Sequence, residues 1–257
     1  MNKINPPPRS RSIYLLPNLF TTGGLFAGFY AVIAAANGQF TQAAIAVFVA
    51  GIMDGIDGRV ARLTGTSSEF GVQYDSLADL VSFGMAPALV MYHWSLSHLK
   101  YDGGILGRLG WAVAFLYAAC AALRLARFNV QTGSVDKRWF IGLASPAAAG
   151  LMMAFVWAFA DDTLGWDGIQ LRYVSLFVTL IAALLMVSRI RYWSFKGGQQ
   201  RRSDRVPFIA LFLVAAIIAV LVIDLPRTLL AAGVLYALSG PVCWVWQRIH
   251  KSDKSAP

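Results

Sequence analysis

The sequence predicts an all-α fold: a polytopic transmembrane helical bundle of about eight spans, with both termini in the cytoplasm. Three observations lead to this class. Of the 257 residues, 57% are hydrophobic and 14% are charged, whereas a soluble domain carries about a quarter charged residues. The apolar residues form runs of about 20, the length of a membrane-spanning helix. The basic residues lie mainly at alternate ends of those runs.

The apolar runs give the order of the spans. We predict them at about 14–36, 41–61, 74–95, 105–126, 140–160, 171–189, 206–224 and 227–247. With a cytoplasmic N-terminus, 18 of the 22 Lys and Arg residues lie inside, and the outside set is Lys100, Arg108, Arg172 and Arg227. The positive-inside rule therefore fixes the orientation. The basic excess is a topology signal and does not indicate nucleic-acid binding.

The chain is organised as one membrane domain with short polar ends. Residues 1–12 are proline-rich and basic, and we interpret them as a flexible cytoplasmic arm. Residues 13–249 form the membrane domain and 250–257 a cytoplasmic tail. Cys120 and Cys243 both fall inside apolar runs, so neither indicates a disulfide framework or a zinc site.

An acidic cluster lies where the second and third spans meet. Asp54 and Asp57 are at the cytoplasmic end of the second span, and Asp75 and Asp79 are at the start of the third. The spacings of three and four residues place each pair on one helix face, and a short connection between antiparallel helices brings the two faces together. The four carboxylates should therefore share one cavity near the depth of the lipid headgroups.

The connection between these spans also contains a helix-start signal. Thr66 followed three residues later by Glu69 can form a capping box, which predicts that the third helix begins near Ser67. Gly58 and Gly71 lie on the same faces as the carboxylates and should leave room beside them.

Four carboxylates in one cavity need compensation, because each raises the pKa of the others. Protons would suit a transporter, whereas hard divalent cations such as Mg²⁺ or Mn²⁺ would suit carboxylate oxygens. A third interpretation is an interfacial cluster paired with Arg59 and Arg62. That alternative does not explain the spacing on one face or the neighbouring glycines.

The spacing Asp54-x2-Asp57-Gly58-x2-Ala61-Arg62-x8-Gly71-x3-Asp75-x3-Asp79 resembles the signature of the CDP-alcohol phosphotransferases. The resemblance implies that a CDP-linked lipid donates its phosphatidyl group to an alcohol. It implies a site for two Mg²⁺ or Mn²⁺ ions at Asp54, Asp57, Asp75 and Asp79, with Asp79 also the base. It further implies that Gly58, Ala61, Arg62 and Gly71 line the cytidine-diphosphate pocket, and that the protein is a homodimer.

Two polar residues of the first span are further candidates for donor binding. Asn18 and Thr21 follow Pro17 and could contact the nucleotide or diphosphate of the CDP-lipid. Alternatively, they satisfy backbone groups left unpaired near Pro17.

The flanking segments narrow the choice of acceptor alcohol. Leu15–Ala31, Asp75–Ala88, Ala122–Asn129 and Gly142–Ala149 resemble the phosphatidylserine-synthase branch of that family. The expected partners are CDP-diacylglycerol, L-serine and the lipid bilayer, and the expected products are phosphatidylserine and CMP. The expected location is the cell inner membrane, with the active site facing the cytoplasm. The alternatives are another acceptor (choline, glycerol phosphate or inositol phosphate) and, with less support, an ion-coupled transporter.

Serine needs a cationic partner for its carboxylate, and arginine can bind a carboxylate through two hydrogen bonds. Arg124 and Arg127 lie three residues apart at the cytoplasmic end of the fourth span, level with the aspartates. They could instead be ordinary flanking charges. Asn129, Ser82 and Ser145 are weaker candidates for polar walls of the serine pocket.

Overall fold

The computed structural model describes residues 15–65, 68–131, 139–160, 166–193 and 224–252. Its elements in chain order are α1 (Leu15–Ala36), α2 (Phe40–Thr64), α3 (Glu69–Asp79), a π turn (Leu80–Met85), α4 (Ala86–Trp94), a 3₁₀ turn (Leu96–Asp102), α5 (Gly104–Gln131), β1 (Trp139–Ile141), α6 (Ser145–Ala160), α7 (Arg172–Val187), β2 (Arg191–Trp193) and α8 (Leu225–Ser252). The fold is helical, as predicted, apart from the two three-residue strands.

Several helices have the length and composition of membrane spans. Among the described residues, three segments are long and apolar enough to cross a bilayer: Pro17–Ala36, Gly104–Val130 and Leu225–Trp246. The helices α6 and α7 are apolar but shorter. The predicted seventh span, at 206–224, lies outside the described residues except for its last position.

Small side chains form the seam between α1 and α2. Ala31, Ala34, Ala43, Ala44 and Ala50 are almost fully buried, which lets the two backbones approach closely, as is common between membrane helices. Larger apolar side chains of α1 are exposed on its other side, including Phe26, Phe29 and Ile33. This arrangement suits a helix pair with one face in the protein and one in lipid.

The third predicted span is made of three pieces. It runs through α3, the π turn and α4. Pro87 has no N–H group and so cannot donate to the carbonyl of Phe83, its partner in a regular α-helix. The buried Tyr117 hydroxyl of α5 donates to that carbonyl instead, over 3.1 Å. The π turn was not predicted, because hydropathy does not distinguish a π turn from an α turn.

The start of α3 also differs from the predicted capping box. Ser68 is the N-cap, and its side chain accepts a hydrogen bond from the backbone N–H of Gly71 at 3.0 Å. The helix begins at Glu69, two residues after the predicted start. Glu69 therefore occupies the first helical position, whereas a capping box needs its Glu at the third. Thr66 itself lies outside the described residues.

A short ribbon connects the last helix to the rest of the fold. The antiparallel strands β1 and β2 pair Phe140 with Tyr192. The Tyr192 hydroxyl donates to the carbonyl of Ala237 in α8 over 3.1 Å. A Cβ at Gly240 would lie 2.4 Å from the Tyr192 ring, so glycine is needed at that crossing. No strand was predicted here, because three residues are too few to show an alternating pattern.

Candidate active site

Three aspartates come together where α2 and α3 meet. Asp54, Asp57 and Asp75 each offer one carboxylate oxygen, and these oxygens lie within 4.8 Å of one another. Asp57 is buried, and the other two are partly buried. The helical spacing read from the sequence therefore does bring the two acidic faces together.

The residues present fit a divalent cation. Oxygen ligands suit Mg²⁺ and Mn²⁺, and a cation would offset the repulsion among three carboxylates in one cavity. The cavity is lined by Thr21, Gly24, Ala50, Asp54, Asp57, Asp75, Ala78, Asp79, Ser82 and Phe83. Its walls come from α1, α2, α3 and the π turn.

Asp79 stands slightly apart from this group. It lines the same cavity but is not among the three aspartates with closely spaced oxygens. The charges that act on it are those of Asp54, Asp75 and Asp57 and, with the opposite sign, that of Arg124. Asp79 is thus close both to the carboxylate group and to a cation on α5.

The first helix contacts the acidic cluster directly. The Thr21 hydroxyl lies 2.8 Å from Asp57 Oδ2, and both side chains are buried. Thr22 shares a hydrogen bond of 2.9 Å with the Tyr74 hydroxyl of α3. Asn18 is partly buried, with its Oδ1 3.7 Å from where a Cβ of Gly71 would lie. Thr21 therefore contacts the acidic cluster, whereas Asn18 lies beside Gly71 at the start of α3.

The predicted diphosphate-pocket residues line the open end of α2 and the first turn of α3. A Cβ at Gly58 would meet nothing within 4 Å, so there is open space at this glycine. Gly71 has less room, since a Cβ there would be 3.2 Å from the capping hydroxyl of Ser68. Ala61 is partly buried and Arg62 is exposed.

Arg124 is the most deeply placed basic residue near the cavity. Its Nη1 donates to the Ser145 hydroxyl over 2.6 Å. Its Nε is buried and has no hydrogen-bond partner among the described residues. Besides Asp79, the phenols of Tyr236 and Tyr117 lie within its electrostatic range. A partly buried guanidinium with an unused donor can bind a further anionic group.

The remaining acceptor candidates have other contacts. The Nδ2 of Asn129 donates to the Ser76 hydroxyl over 3.0 Å, which links α5 to α3. Ser82 is buried and donates to the carbonyl of Gly24 over 3.1 Å. Arg127 is partly buried on α5. Their roles toward serine stay predictions.

Some residues near the site were missed by sequence reasoning. Phe83 lines the aspartate cavity because the π turn directs it there. Tyr74 and Ser76 are on α3 but outside the signature positions. Tyr236 lies about 110 positions beyond Arg124, in α8, and no local pattern signals that the two are close.

Comparison with known proteins identifies the family. A family model described as CDP-alcohol phosphatidyltransferase matches residues 14–174, more than half of the chain. The matched range contains all four aspartates and Arg124. The chain belongs to the CDP-alcohol phosphatidyltransferase family.

Relatives extend the similarity beyond that range. A Helicobacter pylori J99 protein named CDP-diacylglycerol–serine O-phosphatidyltransferase is 38% identical over 248 residues, which cover 95% of this chain and 98% of the relative. A Methanocaldococcus jannaschii protein of the same name is 31% identical over 199 residues, covering 77% of this chain and 82% of the relative. A Methanothermobacter thermautotrophicus protein named archaetidylserine synthase is 31% identical over 183 residues, covering 70% of each chain.

Proposed function

We propose that this protein transfers the phosphatidyl group of CDP-diacylglycerol to the hydroxyl of L-serine, giving phosphatidylserine and CMP. The names of full-length relatives support this reaction. The structural observation that supports it is the position of Asp79, in one cavity with the three carboxylates and within electrostatic range of the partly buried Arg124. One side of this arrangement suits a cation-bound diphosphate and the other suits an amino acid.

Asp54, Asp57 and Asp75, joined by Asp79, would hold two Mg²⁺ or Mn²⁺ ions. Bound ions supply positive charge that stabilises the diphosphate of the donor and the oxygens entering and leaving at phosphorus. The open space beside Gly58 accommodates the cytidine diphosphate against α2, with Ala61, Arg62 and Gly71 as its neighbours. Asn18, on α1, faces the same region.

Asp79 acts as the general base. The serine hydroxyl oxygen attacks the phosphorus that carries diacylglycerol, and its proton passes to the Asp79 carboxylate. The bond from that phosphorus to the oxygen bridging to CMP breaks, and CMP leaves with the electron pair. This role suits an aspartate that lies beside the closely spaced oxygens and also near Arg124.

Arg124 binds the serine carboxylate. Ser145 accepts a hydrogen bond from Nη1, and the buried Nε, which has no partner among the described residues, would gain one from the serine carboxylate. The serine hydroxyl is then directed toward Asp79, which lies within electrostatic range of Arg124. Arg127, Asn129 and Ser82 complete the acceptor side of the cavity in this proposal.

The placement in the membrane follows the charge distribution. Eight spans with both termini in the cytoplasm put the acidic cluster at the cytoplasmic face of the cell inner membrane. The lipid tails of the donor then stay in the bilayer while its headgroup reaches the cluster. The working form is a homodimer, which light scattering of the purified protein in detergent would test.

The test of function is CMP release by the purified full-length chain in detergent with CDP-diacylglycerol and Mn²⁺. Reactions should contain serine, choline, glycerol phosphate, inositol phosphate or no acceptor. We expect CMP only with serine, and none when a chelator removes Mn²⁺. Release with another alcohol would overturn the acceptor assignment. No release with any acceptor, from a protein that binds the CDP-lipid and the metal, would overturn the reaction itself.

A further inference from the structure

The Thr21 hydroxyl has one proton and two possible acceptors. Its Oγ1 lies 2.8 Å from Asp57 Oδ2 and 3.2 Å from the carbonyl oxygen of Pro17, one helical turn earlier. A hydrogen bond to a charged acceptor is shorter and stronger than one to a neutral carbonyl. The shorter contact, to the Asp57 carboxyl group, is therefore the main hydrogen bond that the Thr21 hydroxyl donates.

The hydrogen bond between Thr21 and Asp57 lies in a buried part of the protein. Thr21 is 6% exposed and Asp57 is 5% exposed, so water does not compete for the contact. The bond crosses from α1 to α2, 36 residues apart in the chain. It therefore ties the orientation of one carboxylate of the cluster to the first helix.

We infer that Thr21 is a positioning residue for the metal site: its hydroxyl orients Asp57 so that the rest of that carboxylate is presented to a cation. The inference rests on the proposed metal binding, but not on the identity of the acceptor alcohol. Partners that orient a metal-binding carboxylate commonly change metal affinity by about 10–100-fold when removed. Direct contact with the CDP-lipid, the role predicted from the sequence, is the competing role for this side chain.

The experiment measures Mn²⁺ binding to the full-length protein in detergent, without either substrate. The electron paramagnetic resonance signal of free Mn²⁺ reports binding independently of activity. Thr21→Val removes the hydroxyl at nearly constant volume, and Thr21→Ser retains it. Thr21→Ala is a second hydroxyl-free variant in case the valine variant does not fold.

The chain offers a matched control at Thr179. This residue of α7 is also buried, and its hydroxyl donates to the carbonyl of Ser175 four residues earlier, over 2.7 Å. Thr179→Val thus removes a buried threonine hydroxyl with a similar bond within its own helix, away from the acidic cluster. Loss of helix stability alone should affect both valine variants.

We expect Thr21→Val to weaken Mn²⁺ binding about tenfold, with Thr21→Ser within about threefold of wild type and Thr179→Val unchanged. At saturating Mn²⁺ the KM for CDP-diacylglycerol should return to near the wild-type value. Unchanged Mn²⁺ affinity in Thr21→Val would overturn the inference, and a raised donor KM alongside it would assign Thr21 to the lipid. Wild-type protein that binds no Mn²⁺ would overturn the metal site and this inference together.

Discussion

The guanidinium of Arg124 is fixed by Ser145 on one side and has a buried, unpartnered Nε on another. The 2.6 Å bond joins the C-terminal half of α5 to the first residue of α6. A cation held this rigidly loses little conformational freedom when it binds a ligand, and the unpartnered donor gains a partner. This relationship separates Arg124 from Arg127, two residues that the sequence pattern alone does not distinguish.

Replacement of Arg124 should therefore affect serine more than the donor. We expect Arg124→Ala to lower kcat/KM for serine about 100-fold, since removing one partner of a buried charged hydrogen bond costs about 3 kcal/mol. The KM for CDP-diacylglycerol should change less than about threefold. Steady-state kinetics with each substrate varied in turn make the measurement. Arg127→Ala is the comparison, and an equal loss in both variants would contradict a special role for Arg124.

Removal of the proposed base should separate chemistry from binding. We expect Asp79→Asn to abolish CMP release, because the amide cannot accept the serine proton. Binding of CDP-diacylglycerol should persist, since Asp54, Asp57 and Asp75 are intact. Asp57→Asn is the contrasting variant, which should weaken Mn²⁺ binding. Turnover by Asp79→Asn near the wild-type rate would remove Asp79 from the base role.

The α8 helix should contribute to recognition of the acceptor through Tyr236. Its phenol lies within electrostatic range of Arg124, so its loss should alter the polar environment of the serine carboxylate. We expect Tyr236→Phe to raise the KM for serine by up to about tenfold, because it removes a polar hydroxyl from the surroundings of the guanidinium. Tyr30→Phe removes an exposed phenol of α1 and is the control. A change in donor KM alone would contradict the assignment.

The bond that supports the π turn should contribute to stability. Tyr117→Phe leaves the carbonyl of Phe83 without its 3.1 Å partner in a buried position. We expect the free energy of unfolding to fall by about 1–3 kcal/mol, the cost of an unsatisfied buried polar group. Thermal unfolding in detergent, with Tyr30→Phe as reference, tests this. Equal Tm values for the two variants would mean that the turn does not depend on the bond.

The carboxyl group of Asp102, which lies between the third and fourth predicted spans, should make stability depend on pH. Arg172 donates to both carboxylate oxygens of Asp102, from Nε at 2.5 Å and Nη2 at 2.8 Å. These hydrogen bonds hold the pKa of Asp102 below its ordinary value. The folded state thus binds this proton less readily than the unfolded chain. The contribution to stability is present above the unfolded pKa and is lost as pH falls through the folded pKa.

Thermal unfolding as a function of pH can detect this contribution. We expect the Tm of wild type to fall more steeply than that of Asp102→Asn between about pH 5 and pH 3. Glu69→Gln changes an exposed carboxyl at the start of α3 and is the control. Parallel pH curves for wild type and Asp102→Asn would contradict the expected linkage.

The parts of the site that follow from local periodicity were predictable from the sequence. Asp54 and Asp57 are three residues apart, and Asp75 and Asp79 four, so each pair shares a face once the segments are helical. The short connection then requires antiparallel packing, and the structure brings Asp54, Asp57 and Asp75 together accordingly. Periodicity is reliable here because α2 and α3 are regular at these positions.

The parts that depend on tertiary contacts were not predictable. The pairing of Arg124 with Ser145 depends on how α5 and α6 pack. The position of Tyr236 near Arg124 depends on how α8 packs, and one contact that holds α8 is the hydrogen bond from Tyr192 of β2 to the carbonyl of Ala237. The hydrogen bond from Thr21 to Asp57 likewise joins two helices. The sequence identifies these residues as polar side chains in apolar runs, but their partners are fixed only by packing.

The π turn has a consequence for insertions and deletions in the chain. A π turn holds about one residue more than an α turn with the same hydrogen-bonded path. The segment between Asp79 and Pro87 therefore contains about one surplus residue relative to a regular helix. Removing Val81 would take out this surplus residue, but Pro87 would still leave the carbonyl of Phe83 without a backbone donor, so that carbonyl would still need the Tyr117 hydroxyl. At this point chain length itself, and not only residue type, determines where Phe83 meets the aspartate cavity.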